Sequence, residues 1–222
     1  MPTQLKHRLS KGVFGTGWAD GAICIVLAAS LYLVNLIYAL LNHGPAILHL
    51  KSALDDIIPL VPIFVIPYIS LEPLTYLTLV IFLLFNTRIF KSASLSFITA
   101  LLVSYVFYIF LQSEMIRPAL IGTDVLTQMI RGVYASDNPY NCFPSLHTSL
   151  STILAIHWLK ADRRIGIGFA IWTVLIVAST VFVKQHYVAD IALGLVLAFS
   201  ISWLYMKLLL KSPQPPDGTA QV

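Results

Sequence analysis

The sequence predicts an all-α, polytopic membrane protein: six transmembrane helices in one bundle, N-in and C-in. Three observations carry that prediction. Of the 222 residues, 58% are apolar and only 11% charged, against about 25% charged in a soluble domain. Apolar runs able to cross ~30 Å of hydrocarbon recur along the chain. The fourteen Lys and Arg also divide unevenly between alternate connections. So few charges cannot furnish a water-facing surface, which excludes a soluble domain, a disordered chain and a disulfide-stapled scaffold. The net charge of +4 does not indicate nucleic acid, because the basic residues are scattered without a stripe or stacking platform. Cys24 and Cys142 build no metal cage.

The first span runs over 18–41, behind a cytoplasmic segment, 1–17, and is too long for a cleaved signal. The next apolar stretch, 57–85, is broken by Pro59, Pro62, Pro67 and Pro73. Residues 57–61 read as a surface-lying or re-entrant piece, and 62–85 as a kinked second span that carries Glu72. The third span covers 93–111, and a polar segment, 112–144, follows. The fourth, 145–159, is short, so its first turn sits in the headgroup layer. The fifth covers 165–183 and the sixth 187–210. The tail 211–222, with three prolines, reads as disordered, leaving 18–210 as one membrane domain. With the N-terminus inside, ten of the fourteen cations face the cytoplasm, and Lys51, Arg117, Arg131 and Lys184 face outward. That excess sets the orientation.

Polar residues gather at the outer ends of spans four and six. In 137–149, Asp137-Asn138-Pro139 signals a turn, and Pro144-Ser145 a helix start with Ser145 as N-cap. Such a start presents free N–H groups and a positive dipole end, a ready anion site, with His147 in its first turn. In 179–190, His186 and Asp190 stand four apart and share a helix face. A carboxylate on one ring nitrogen fixes the tautomer and leaves the other free as nucleophile or base. Asp190 inside an apolar span needs a partner, and His186 is the nearest. Lys184 and Arg117-Pro118 add cations at the same depth. Two histidines among anion-attracting groups are what phosphoryl transfer without a metal requires.

Each element alone has a plainer reading. His147 alone fits an interfacial histidine, His186 with Asp190 a structural pair or a proton relay, and Arg117 and Lys184 snorkelling cations. Glu72, Asp55 and Asp56 read as interfacial or packing groups, as do His43 and His49. His157 stands ~15 Å along the helix from His147, too far to share a site. Position 148 is Thr148, so Cys142 opens no cysteine-phosphatase loop, and neither a zinc motif nor a Gly-rich phosphate loop occurs.

Pro144-Ser145-Leu146-His147 resembles the second signature of the type 2 phosphatidic acid phosphatase superfamily, Pro-Ser-Gly-His in many members. Ser179, His186 and Asp190 resemble the third, Ser-Arg-x5-His-x3-Asp, and Arg117-Pro118 the end of the first, Lys-x6-Arg-Pro. Four positions depart from the pattern: Phe110 and Thr180 stand where the family has Lys and Arg, and Leu146 and Lys184 where it has Gly. The Ser-Leu-His and Lys-Gln-His-Tyr wording is similar to an inositol phosphorylceramide synthase-like branch.

The resemblance implies metal-independent removal or transfer of a lipid phosphate at the outer leaflet, with no cofactor. It makes His186 the nucleophile that forms a phosphohistidine, Asp190 its orienting partner and His147 the acid for the leaving alcohol. Arg117, Ser145 and nearby amides would hold the phosphate, and Lys184 would take over part of the missing cations' role. The expected partner is a membrane lipid phosphate, of phosphatidate, phosphatidylglycerophosphate or polyprenyl diphosphate type, and the expected place a bacterial inner membrane with the site facing the periplasm. A phosphotransferase that moves a headgroup to another lipid alcohol is the alternative within the enzyme class. A transporter or lipid-binding relative is the alternative outside it.

Overall fold

The computed structural model describes residues 17–210; the expected N-terminal segment ahead of them and the expected disordered tail, 211–222, lie outside the described residues. The elements are α1 (Trp18–Leu41), α2 (Ala53–Ile57), a 3-10 turn (Pro62–Phe64), α3 (Val65–Phe85), α4 (Thr87–Phe110), α5 (Val125–Ser136), α6 (Leu146–Ala161), α7 (Arg163–Phe182) and α8 (Val188–Leu209). Strand-like pairing among the described residues is limited to two isolated bridges, Leu48 with Ser113 and Glu114 with Tyr140. These, with the Gln112 side chain bonded to Leu41, His43 and Asn141, stitch together the loops at one end of the bundle.

Among the described residues, five helical segments are long and apolar enough to cross a bilayer: Trp18–Leu41, Pro62–Phe85, Thr87–Phe110, Arg163–Phe182 and Val188–Leu209. The expected fourth span is α6, whose 16 residues reach about 24 Å at 1.5 Å each, short of the hydrocarbon thickness. Helix α6 is also rich in Ser and Thr, and both properties follow from its place. It is surrounded by α3, α4, α7 and α8, and Thr148, Ser149, Ser151, Thr152 and Leu154 are all buried. Small hydroxyl side chains let neighbouring helices approach closely and satisfy one another's polar groups.

Two sequence expectations need adjustment. Helix α4 starts six residues before 93, because Asn86 caps it by accepting from the Ile89 N–H and the charge of Lys91 pairs with Asp20 on α1. Hydropathy alone discounts such a paired, capped turn. The polar segment 112–144 contains α5. Asp124 caps it, accepting from both the N–H and the hydroxyl of Thr127, and Leu126, Met129, Ile130 and Val133 pack at helical spacing against Val65, Tyr68 and Val183. Helix α1 packs along α4 but not along α3. A cleft therefore runs between α1 and α3.

Candidate active site

The first turn of α6 and the loop into α8 meet through one close approach. Ser145 is the α6 N-cap, its hydroxyl accepting from the Thr148 N–H at 3.3 Å, and its own N–H donates to the Asp190 carbonyl at 3.1 Å. Gly194 makes this contact possible: a Cβ there would lie 2.9 Å from the Ser145 carbonyl oxygen and 3.0 Å from Thr148 Cβ. The result sets the rings of His147 and His186 beside each other across a short gap, centroids 6.2 Å apart and tilted at 55°. From α3, Tyr68 stacks on His147 at 4.1 Å and 15°.

Hydrogen-bond partners assign the protons. His186 Nδ1 lies 2.9 Å from the Cys142 carbonyl oxygen, an atom that only accepts, so Nδ1 carries the hydrogen and Nε2 keeps its lone pair. Asp190 Oδ2 is a second, longer partner at 3.3 Å. The same oxygen accepts from the Tyr187 N–H at 2.8 Å. The Cys142 backbone thus shares the orienting role expected of Asp190 alone. Neither His186 Nε2 nor either ring nitrogen of His147 has a hydrogen-bond partner among the described residues. Asp190 is fully buried, and its Oδ1 has no partner either.

Arg117 stands behind the pocket. Its guanidinium donates to the carbonyls of Tyr134, Asp137 and Asn138 at the end of α5, where cations suit the helix dipole, and lies 4.6 Å over the Tyr134 ring. One nitrogen also donates to Gln185 Oε1 at 2.6 Å. That bond turns the Gln185 amide so that its Nε2, buried and without a partner, remains available beside the histidines. Arg117 Nε is buried and unpaired as well.

Lys184 does not reach the pocket. Its backbone adopts φ +54°, the left-handed region that favours glycine, which gives a reason for the family's Gly there. Its ammonium donates to the carbonyls of Asp55 and Ile58, tying the α7–α8 loop to α2 instead of facing a phosphate. Asp55 adds a second tie, accepting from the Val188 N–H at 2.9 Å. Burial raises the Asp55 pKa, but bonds from Ser52 and Val188 outweigh it and leave the carboxyl below its ordinary 3.8.

Two groups in the loops at the histidine end of the bundle are shifted the other way. Burial holds the Asp137 carboxyl above the usual range, against the pull of the Tyr38 hydroxyl and Arg117. Burial also pushes the Cys142 thiol well up. Ligand atoms of Cys142, His186 and Asp190 lie within 4.8 Å of one another. To hold a soft cation this trio must give up the thiol proton and the Nδ1–H bond to the Cys142 carbonyl.

His147, Gln185 and His186 line one end of a cavity of about 650 Å³, together with Tyr38, Asp137 and Asn141. The cavity continues down the cleft, lined on α1 by Ala28, Leu31 and Asn35 and on α3 by Ile69, Glu72, Thr75, Leu79 and Leu83. The α3 stretch alone covers about 21 Å. Among the described residues, no Lys or Arg lines this cavity. Arg117, Ser145, Lys184 and Asp190 sit behind its wall. His43 and His49 are exposed elsewhere, and His157 is bonded to Ser92. Tyr68 and Gln185 were not expected from the sequence. Gln185 adjoins His186 and was within reach of motif reading; Tyr68 comes from a distant helix and carries no local signal.

No curated protein and no solved structure matches the chain. The family model described as the PAP2 superfamily matches residues 95–213, more than half of the chain, including helix α6 with His147 and the α7–α8 loop with His186. The chain belongs to the PAP2 superfamily, whose members are in general phosphatases and phosphotransferases, here built from helices apolar enough for a membrane.

Proposed function

We propose that the chain is an integral membrane lipid phosphatase that acts without a metal, through a phosphohistidine on His186. The observation that carries this reading is the joining of two imidazoles, each with an unpartnered ring nitrogen, to a long apolar cleft in one cavity. A phosphoryl group between rings whose centroids are 6.2 Å apart would be within reach of both imidazoles, as a displacement with a poised acid requires. The alkyl chains of the lipid would lie between α1 and α3.

In the first step the His186 Nε2 lone pair forms a bond to phosphorus and the phosphorus–alkoxide bond breaks. Protonated His147 gives its proton to the departing oxygen, so a lipid alcohol leaves. In the second, neutral His147 takes a proton from water, the hydroxyl oxygen attacks phosphorus, and the phosphorus–nitrogen bond breaks to release inorganic phosphate. The Cys142 carbonyl and Asp190 hold the Nδ1–H and stabilise the positive ring. The Gln185 Nε2 and the first-turn amides of Leu146 and His147, which have no carbonyl one turn above them, supply donors for the phosphate oxygens. Arg117 acts through Gln185.

The same reading includes six spans, N-in and C-in, in a bacterial inner membrane with the site facing the periplasm. The wrapped, short α6 supports six crossings, and the basic turns at Arg88 and at Lys160–Arg164 lie at the helix ends remote from His147. A phosphotransferase would differ only in replacing water by a lipid alcohol.

The test is phosphate release from a panel of lipid phosphates in detergent with excess chelator, with acid-labile, base-stable labelling of the protein by radioactive phosphate. Release and labelling that survive the chelator are expected. Loss of activity on chelation overturns the metal-free route. A labelled lipid product in place of free phosphate assigns a transferase.

A further inference from the structure

One group in the cavity is unused by the reaction. Glu72 lies four residues below Tyr68 on α3, one turn or about 6 Å further along the cleft from the ring stacked on His147. It lines the cavity within an otherwise apolar span. An ionisable side chain at such a place is costly and persists where it meets a partner. Its contact inside the chain is weak: the Tyr76 hydroxyl donates to it at 3.5 Å. None of the ion pairs among the described residues includes it, and no cation lines the cavity.

The surroundings add acceptors. Pro73 follows directly and has no N–H to give the carbonyl of Ile69 one turn above, and Ile69 lines the same cavity. The Thr75 hydroxyl is already spent on the Leu71 carbonyl. Asn35 faces the notch from α1 with an amide that can accept or donate. The Tyr76 hydroxyl reaches only Oε1, and Glu72 Oε2 has no hydrogen-bond partner among the described residues, so a donor on whatever occupies the cleft would complete it.

Resting on the phosphatase reading, the geometry points to Glu72 as the residue that selects a lipid phosphate bearing a hydroxyl or amide N–H a few bonds from its phosphate ester. Lysophosphatidate and ceramide phosphate have that chemistry; a diacyl phosphatidate or a polyprenyl phosphate does not. Roughly 4 Å of covalent chain from phosphorus to the donor, plus a hydrogen bond of ~2.7 Å, spans the offset between the histidines and Glu72. Diacyl esters would instead set carbonyl oxygens against the carboxylate, which leaves both unsatisfied.

The experiment compares kcat/KM for phosphate release within two matched pairs: lysophosphatidate with its 2-deoxy analogue, and ceramide 1-phosphate with dioleoyl phosphatidate. The full-length protein is expected to favour the donor-bearing member of each pair about tenfold. Glu72→Ala is expected to bring both ratios to about one, and Glu72→Gln, which keeps an acceptor oxygen, to leave them in between. Damage to folding lowers both members of a pair and leaves the ratio standing, so the ratio reports recognition. Discrimination in the first pair alone assigns the hydroxyl, and in the second alone the amide. Equal rates in the wild type, or a ratio that survives Glu72→Ala, overturn the inference while the phosphatase reading stands. Release from none of the four lipids overturns the inference, and overturns the phosphatase reading as well only if the wider panel of lipid phosphates, phosphatidylglycerophosphate and polyprenyl diphosphate included, also yields no phosphate.

Discussion

Helix α6 carries two histidines ten residues apart, and their surroundings are opposite. His157 is fully buried and complete. Its Nδ1 donates to the Ile153 carbonyl at 2.8 Å and its Nε2 accepts from the Ser92 hydroxyl at 2.9 Å. His147 has only a stacked tyrosine and an open cavity, with both nitrogens unmet. Residue type, helix and apolar setting are shared. What separates the two is whether the protein itself satisfies the ring. A polar group that the fold leaves unfinished, facing a space large enough for a ligand, is the better mark of chemistry.

Substitutions can break or sharpen that contrast. The largest effect belongs to His186, whose free Nε2 is the proposed nucleophile: His186→Ala should lower kcat by about 10⁴-fold or more. Asp190→Asn should cost about 10³-fold, because the Cys142 carbonyl still holds the tautomer. Both are read as turnover per folded molecule. His147→Ala should lower kcat by about 10²–10⁴-fold on an ordinary alcohol leaving group. Activity should largely return on a lipid analogue with a nitrophenol leaving group, which departs without a proton. A failure of that rescue removes His147 from the acid role.

Next in size is Gly194→Val, at a residue outside the cavity lining. Its side chain would collide with the Ser145 carbonyl and Thr148, forcing α8 off α6. A shift of even ~1 Å between the two histidines should cost about 10²-fold in turnover. His157→Ala should invert the pattern, leaving turnover per folded molecule within about twofold while an orphaned Ser92 hydroxyl lowers stability by roughly 1–3 kcal/mol. Equal damage to turnover from His147→Ala and His157→Ala would erase the distinction drawn here.

The smallest effect is pH-dependent. A carboxyl whose folded pKa is lowered stabilises the fold above its ordinary value, 3.8 for Asp55, and loses that contribution as pH falls through the folded pKa. Asp55→Asn should therefore lower the melting temperature at pH 7, with the gap to the wild type closing below pH 3.8.

The part of the site that was legible in the sequence is the part written in short range. Pro144 to His147, and His186 with Asp190, are local patterns. The first is a cap and a first turn, as its spacing indicates. The second brings ring and carboxylate together with His186 in the loop ahead of α8 and only Asp190 on the helix, not on the shared helix face the spacing suggested. The helices were legible because apolar length is a property of contiguous residues. What escaped depends on distance in the chain. Tyr68 comes from α3, the Cys142 carbonyl is a backbone atom without side-chain identity, and the cleft exists because α1 packs along α4 and leaves α3. Lys184 misled for a related reason: a cation beside a histidine reads as an anion ligand, whereas a left-handed backbone turns it towards α2. Helix α5 was hidden by the polar average of its segment, although Asp124 with Thr127 and the stripe Leu126, Met129, Ile130 and Val133 mark its start and its face.

On the lipid phosphatase reading, the sideways opening between α1 and α3 sets the dimensionality of catalysis. A lipid sliding in from the surrounding leaflet need never surrender its tails to water, and its dephosphorylated product returns to the same sheet. Such an enzyme samples a two-dimensional pool. Its rate should follow the mole fraction of lipid phosphate in the bilayer or micelle, and added inert detergent at constant bulk substrate should slow it by surface dilution.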